Sequence, residues 1–322
     1  MLLTMLYSPE IQLISPKQRW QRLSHPLLVQ HRIQLWVCHL DTLVPEVSGN
    51  KWLKLKYHVQ QVMQQNCSGI LTFGGAFSNH LCAVAACCRL LGLQSAAYVR
   101  ADDLDMANPT LAFCQQAGMQ LYALDRTSYR QRDNPDFIQQ LQEKHKTLLM
   151  VPEGGSSDAG ASGIAELNLA TTPEGDADII ICPTASGGTL AGVINRHDCA
   201  ALGIAVVKDT SLPQRVSQLL TPESRTKHWQ INTNFVGKGY GKFDEALLSF
   251  CREMAQHQLH VEPIYTGKTL AAVFSLIASG DIPENSRLSV FHTGGLQGLK
   301  GLHYRGLITV SDLALLSGSV AG

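Results

Sequence analysis

Short apolar runs alternate with longer amphipathic segments along this chain. GILTFGG (69–75) reads as a buried strand, and SNHLCAVAACCRLLGL (78–93) reads as a helix that closes at Gly92. QSAAYVR (94–100) is strand-like, PTLAFCQQAG (109–118) helix-like and MQLYAL (119–124) strand-like again. KTLLMVPEGG (146–155) and RLSVFHTGG (287–295) are strands that run into glycine turns. DADIIICPT (176–184) is a continuous apolar run, the pattern of a strand covered on both faces. The repeated strand–helix rhythm predicts an α/β fold with parallel sheets and helices on both faces. The polar stretch DRTSYRQRDNPD (125–136) reads as a surface loop. In SGNKWLKLK (48–56), Lys54 and Lys56 read as the solvent face of a starting helix.

The 322 residues suggest about two domains at the usual 100–200 residues each. Basic and acidic side chains balance at 26 each, which leaves no electrostatic footprint for nucleic acid or an anionic membrane. Nine cysteines lack a CxxC pair, and Cys87-Cys88 lie in an apolar run. They read as buried thiols in a reducing compartment, without the ligand spacing of a zinc site. The N-terminal MLLTMLYSPEIQL has no basic n-region and no small-residue cleavage site, and no segment reaches the roughly 20 apolar residues of a membrane span. The expectation is a cytoplasmic protein with no metal site.

Four strand-like segments end in glycine-rich turns: FGGAFSNH, PEGGSS, PTASGGT and HTGG. In open α/β sheets ligands bind outside the carboxyl ends of strands, so the four turns can line one pocket. TASGGTLAG (184–192) follows a buried strand and opens a helix. Gly187 and Gly188 would bare backbone N–H groups, Ser186 and Thr189 would add hydroxyls, and the helix start adds its positive dipole end. That is a phosphate cradle, but neither GxGxxG nor a P-loop, because GKT at 267–269 lacks the first glycine of GxxxxGKT.

Ser78, Asn79 and His80 fall at a helix start, where capping competes with contact to a substrate carboxylate or a ring oxygen. Thr293 at a strand end offers a neutral hydroxyl to a pyridine nitrogen. Tyr240 and Tyr265 sit near glycines, as packing residues or as proton donors. Lys51 follows Gly49-Asn50 in a tight corner, either as a surface charge or as a sequestered amine. Phosphate grip, ring-oxygen partner, ring-nitrogen partner and Schiff-base amine together are what pyridoxal 5′-phosphate requires.

With these motifs in hand, the chain resembles the pyridoxal-phosphate family that holds D-cysteine desulfhydrase and 1-aminocyclopropane-1-carboxylate deaminase. The likeness runs from about residue 8 to 304 and rests on GNK, SNH, PEGGS, SGGTLAG, YTGK and HTGG in that order. It implies the tryptophan-synthase-β-like fold, fold type II, as a homodimer. A small domain over 58–165 would be inserted in a large cofactor-binding domain of 1–57 and 166–322. It implies Lys51 as the Schiff-base lysine and proton carrier. Ser78, Asn79 and His80 would lie near the ring and the substrate carboxylate. Ser186, Gly187, Gly188 and Thr189 would form the phosphate loop, with Tyr240 and Tyr265 as active-site tyrosines and Thr293 on the ring nitrogen.

The deaminases resemble YEGK and HLGG, whereas this chain has Thr266 and Thr293, as on the desulfhydrase side. Phe77 stands where glutamine is usual, Gln297-Gly298 replaces Pro-Ala-Leu, and Leu53 replaces an arginine. Phe77 and Gln297 are expected to touch the pocket, with Phe77 at the substrate. The resemblance implies a lyase that converts D-cysteine to pyruvate, ammonia and hydrogen sulfide. The alternatives are deamination of aminocyclopropane carboxylate, a non-catalytic protein that binds the cofactor, and an α/β protein without it.

Overall fold

The computed structural model describes residues 9–237, 239 and 241–318. Its strands are β1 (Lys17–Leu23), β2 (Gln34–Asp41), β3 (Gly69–Gly75), β4 (Gln94–Arg100), β5 (Gln120–Leu124) and β6 (Leu148–Val151). They continue with β7 (Thr171–Thr172), β8 (Gly175–Asp176), β9 (Ile179–Thr184), β10 (Ala200–Ala205), β11 (Trp229–Asn232) and β12 (Arg287–Phe291). One sheet has the order β1-β2-β12-β9-β10-β11 and another β5-β4-β3-β6, while β7 and β8 form a two-stranded pair. Every pairing in the four-stranded sheet is parallel. In the six-stranded sheet only β1 runs antiparallel to its neighbour.

The continuous apolar runs are buried on both faces, as expected for strands under helices on either side. In β9, Ile180 and Cys182 join one core cluster and Ile181 joins the other. In β3, Ile70 faces the first cluster, while Leu71 and Phe73 face a third. Each such side chain contributes about 1.5–3 kcal/mol when removed from water. β1 has no apolar signal: KQRWQRL is an edge strand that buries only Leu23. It pairs through its backbone with β2, from Lys17 opposite Asp41 to Leu23 opposite Leu35.

The stretch 125–136 departs from its expected loop. Asp125 caps a short helix, Arg126–Tyr129, and Asn134 caps Pro135–Lys144, both by accepting backbone N–H bonds. These Asx caps carry helix starts inside a polar stretch with no apolar periodicity. All nine cysteines are free thiols, and only Cys67 and Cys199 are incompletely buried. Among the described residues no helix is long and apolar enough to cross a membrane.

The helix Lys51–Gln64 packs closely on the helix Asp158–Ile164. A Cβ on Gly163 would lie 1.8 Å from the carbonyl oxygen of Leu53, so only glycine permits this approach. That contact brings the turn after β6 up to the Lys51 corner.

Candidate active site

The carboxyl ends of β3, β6, β9 and β12 converge on one cavity of about 500 Å³. Gly75 and Ser78, Glu153 and Gly154, Ser186 and Gly187, and Thr293 and Gly294 all line it. The four glycine-rich turns thus meet at the place strand topology predicts.

Lys51 opens its helix behind Asn50 and lies in this cavity. Its ammonium donates to Asn50 Oδ1, and Asn50 Nδ2 donates to Thr189 Oγ1 at 2.9 Å. Burial pulls the Lys51 amine from 10.5 down to about 8, against the opposing pull of the Glu262 carboxylate. A neutral amine is the nucleophilic form, and this shift favours it.

Lys54 is the main correction to the sequence expectation. It is buried rather than on the solvent face, and its Nζ lies 3.0 Å from Ser156 Oγ and 3.5 Å from Ser186 Oγ. Residues three apart on a helix share a face, so Lys54 follows Lys51 into the cavity. Burial, with the nearby Lys51 charge, lowers its amine to about 7. Lys56 is half-buried and pairs with Glu166 at 2.7 Å.

The two serine hydroxyls, Ser156 and Ser186, bond each other 2.5 Å apart. Gly187 has φ +88° and precedes the helix Gly188–Arg196, and a Cβ on Gly188 would meet Ser156 Oγ at 2.8 Å. A Cβ on Gly154 would project toward Ser186 Oγ at 3.2 Å and Lys54 Nζ at 3.9 Å, so glycine keeps the space over the hydroxyls open. A cation, two hydroxyls and a helix N-terminus around that space fit a phosphate group. Thr189 differs from the simple cradle picture, because its hydroxyl accepts from Asn50.

Ser78 caps the helix Asn79–Leu90 by accepting from the His80 backbone N–H at 3.2 Å. Asn79 faces the cavity beside it. His80 is buried, with Nε2 2.9 Å from Thr72 Oγ1. Because Thr72 donates its hydroxyl proton to Val151 O at 2.8 Å, His80 Nε2–H is the donor of that contact. His80 Nδ1 is then a buried lone pair without a partner, and burial holds the ring well below its usual pKa, hence neutral.

Thr293 is buried at the end of β12 and lines the cavity, while Thr266 is fully buried and is not among the lining residues. Tyr265 lines the cavity at the entrance to the helix Thr266–Ala278. Tyr240 lies outside the described residues. Phe77 does not line the main cavity. It packs on the helix Gly298–Tyr304 and lines an adjoining cavity of about 270 Å³. Gln297 lines neither cavity and donates to Glu46 O at 3.5 Å.

Sequence reasoning passed over Lys54, Ser156 and Glu262. Glu262 is buried, accepts from the backbone N–H groups of Ile264, Tyr265 and Thr266, and is raised by burial to about 7. Away from the cavity, His25, Glu253 and His257 bring ligand-type atoms within 4.8 Å of one another. His25 Nδ1 accepts from the Leu27 N–H, so its Nε2 carries a proton toward Glu253 and is not free for a metal.

A lysine amine lowered by burial, a cation-and-hydroxyl cradle at a helix start and a strand-end hydroxyl, at the carboxyl ends of two parallel-rich sheets, fit pyridoxal phosphate on an α/β fold. The chain belongs to the pyridoxal-phosphate dependent enzyme family, which it matches over residues 14–294. It is 26% identical over 315 residues to the bifunctional D-cysteine desulfhydrase/1-aminocyclopropane-1-carboxylate deaminase, mitochondrial, of Arabidopsis thaliana, covering 88% of this chain and 77% of that one. It is 23% identical over 303 residues to D-cysteine desulfhydrase of Klebsiella pneumoniae, covering 84% and 89%. Its fold superposes on the crystal structure of an ACC deaminase homologue with TM-score 0.76 at 22% identity, covering 98% and 99% of the two chains. The fold is that of fold type II pyridoxal-phosphate enzymes, and pyridoxal 5′-phosphate is the cofactor of the family.

Proposed function

We propose that this protein is a pyridoxal-phosphate-dependent lyase that removes the amino group and a β-substituent from a small amino acid. D-cysteine is the reference substrate; with one water it yields pyruvate, ammonia and hydrogen sulfide. The carrying observation is that Lys51 and Lys54 enter one cavity one helical turn apart, with Lys54 on the hydroxyls of Ser156 and Ser186.

The bound cofactor supplies an electron sink for the bond that breaks at the α-carbon. Lys54, Ser156, Ser186 and the Gly187–Gly188 backbone would hold its phosphate. Thr293 offers a hydroxyl to the ring nitrogen without the charge that would keep that nitrogen protonated. In this reading Asn79 would donate to the ring oxygen, and Ser78 with the helix start would receive the substrate carboxylate. Lys51, once freed, takes the α-proton, and Asn50 aims it. Tyr265 and Tyr240 stand as candidates to protonate the departing group. His80, neutral and fixed by Thr72, packs beside Lys54 at the Gly155 turn, where an added Cβ would meet His80 Cε1 at 3.6 Å and Lys54 Cβ at 3.2 Å.

Residues 58–165 act in this reading as a smaller unit that closes over the cofactor, and the working assembly is a homodimer in the cytoplasm. Deamination of aminocyclopropane carboxylate is the second reading, supported by the relative named for both activities.

The test is pyruvate formation by the purified protein from D-cysteine, L-cysteine and aminocyclopropane carboxylate, with the visible cofactor band followed in parallel. D-cysteine is expected to give pyruvate and sulfide, and Lys51→Ala is expected to abolish both. Full turnover by Lys51→Ala would overturn the mechanism, and a band without turnover of any amino acid would make this a binding protein.

A further inference from the structure

The cavity of about 270 Å³ beyond Asn79 is an annexe of the main one: Gly75, Asn79, Arg100 and Tyr265 line both. Three guanidinium-bearing residues line it, Arg100, Arg126 and Arg305. Arg100 ends β4, which pairs with β3, and Arg126 follows β5, the next strand out, so both stand at the carboxyl ends of adjacent parallel strands. Arg100 comes close to the reacting region, because a Cβ on Gly75 would lie 3.6 Å from its Nη2. Arg305 stacks over the Phe77 ring at 4.7 Å.

Arg100 and Arg126 differ from Arg132 and Arg215, which line the main cavity with Arg100. Arg132 is neutralised by Glu153 at 2.6 Å, and Arg215 by Asp133 at 3.2 Å. Arg100 and Arg126 have no carboxylate partner among the described residues; Arg100 holds its guanidinium 5.6 Å over the Tyr129 ring. The acid in the annexe is Glu262, whose oxygens are taken by three backbone N–H groups. The annexe therefore carries positive charge, with the forks of Arg100 and Arg126 left to bind.

We infer that the annexe reads a second acid group on the substrate: among small amino acids, those whose side chain ends in a carboxylate, sulfonate or phosphate are preferred, with Arg100 the main specificity residue and Arg126 its support. The inference rests on the proposed function, in which the helix start at Ser78 and Asn79 takes the α-carboxylate and leaves Arg100 for the far end.

The test is calorimetric titration of the holoprotein with matched pairs, alanine against aspartate and cysteine against cysteate, each in both hands. In at least one hand the acidic member is expected to bind tenfold tighter or more, with the ratio shrinking as salt rises. Arg100→Gln is expected to bring the ratio below threefold, Arg100→Lys to keep part of it, and Arg126→Gln to lower it partway. Equal binding of acidic and neutral partners overturns the inference, as does the absence of binding by any of them. Equal weakening of both partners by Arg100→Gln overturns it too, and assigns Arg100 to the shared α-carboxylate. Alanine and aspartate carry no β-substituent for the proposed elimination, so their heat reports binding without turnover, and failure of the lyase reading is seen separately, as a missing cofactor band or missing pyruvate.

Discussion

A methyl group on Gly49 would lie 2.1 Å from the carbonyl oxygen of Thr293. Gly49 also has φ +69°, in the left-handed region that side chains disfavour. The next residue, Asn50, donates its backbone N–H to that same carbonyl at 3.2 Å. The corner that presents Lys51 is therefore built against the strand end that presents Thr293. Gly49→Ala is expected to lose more than about 2 kcal/mol of stability, from strain and collision together. Chemical denaturation measures this; a loss below about 0.5 kcal/mol would show that the corner relaxes easily.

Lys54 offers its ammonium to the cradle, where a bound phosphate dianion would hold the proton that burial alone loosens. Lys54→Met keeps the length of the side chain and removes the ammonium. It is expected to weaken pyridoxal 5′-phosphate binding by about tenfold to a hundredfold, the worth of one charge-assisted contact. Binding of pyridoxal without its phosphate should change much less. Equilibrium dialysis of both compounds separates the two, and equal losses would place Lys54 outside the phosphate site.

The same lysine makes stability depend on pH. Its pKa falls from 10.5 to about 7 in the folded chain without cofactor. Above the folded value the unfolded chain holds the extra proton, so stability rises with pH, by up to about 1.4 kcal/mol per pH unit. Lys51, lowered to about 8, adds to the rise further up. Buried thiols work the other way above pH 9, Cys88 being pushed up to about 12. Between pH 7 and 8.5 the wild-type apoprotein is therefore expected to gain more stability than Lys54→Met. Parallel denaturant midpoints across that window would contradict the buried amine.

Thr72 fixes the His80 ring by accepting from Nε2 and donating to Val151. Thr72→Val keeps the shape and strands the buried Nε2–H. The cost is expected to be about 1–3 kcal/mol, because an unpaired buried donor forfeits its hydration. Thermal unfolding reads the loss. Thr72→Ser restores the hydroxyl and should recover most of it.

Elements with a strong local signal were legible. The apolar runs at β3, β9 and β12 and the long helix after Ser78 follow from periodicity, because burial on both faces leaves an unbroken apolar stretch. The Gly-rich strand ends were legible for the same reason, and topology alone predicted that they meet. β1 was not legible, since an edge strand paired through its backbone needs no apolar side chains. The helices inside 125–136 were hidden because their starts rest on single Asx caps.

The site divides along the same line. Lys51, Asn79, Ser186 and Thr293 lie in motifs whose glycines mark close backbone approach, and a sequence carries that mark locally. Tertiary structure alone decided that Lys54 is a cavity residue, because its partners Ser156 and Ser186 stand 102 and 132 positions away. It alone took Phe77 out of the main cavity, turned the Thr189 hydroxyl to Asn50, and set Arg100 and Arg126 around one space. Local pattern reports how a residue meets water and its own helix or strand. Which distant charges share a cavity depends on how the strands are ordered and how closely the helices pack, and no single stretch of sequence encodes that.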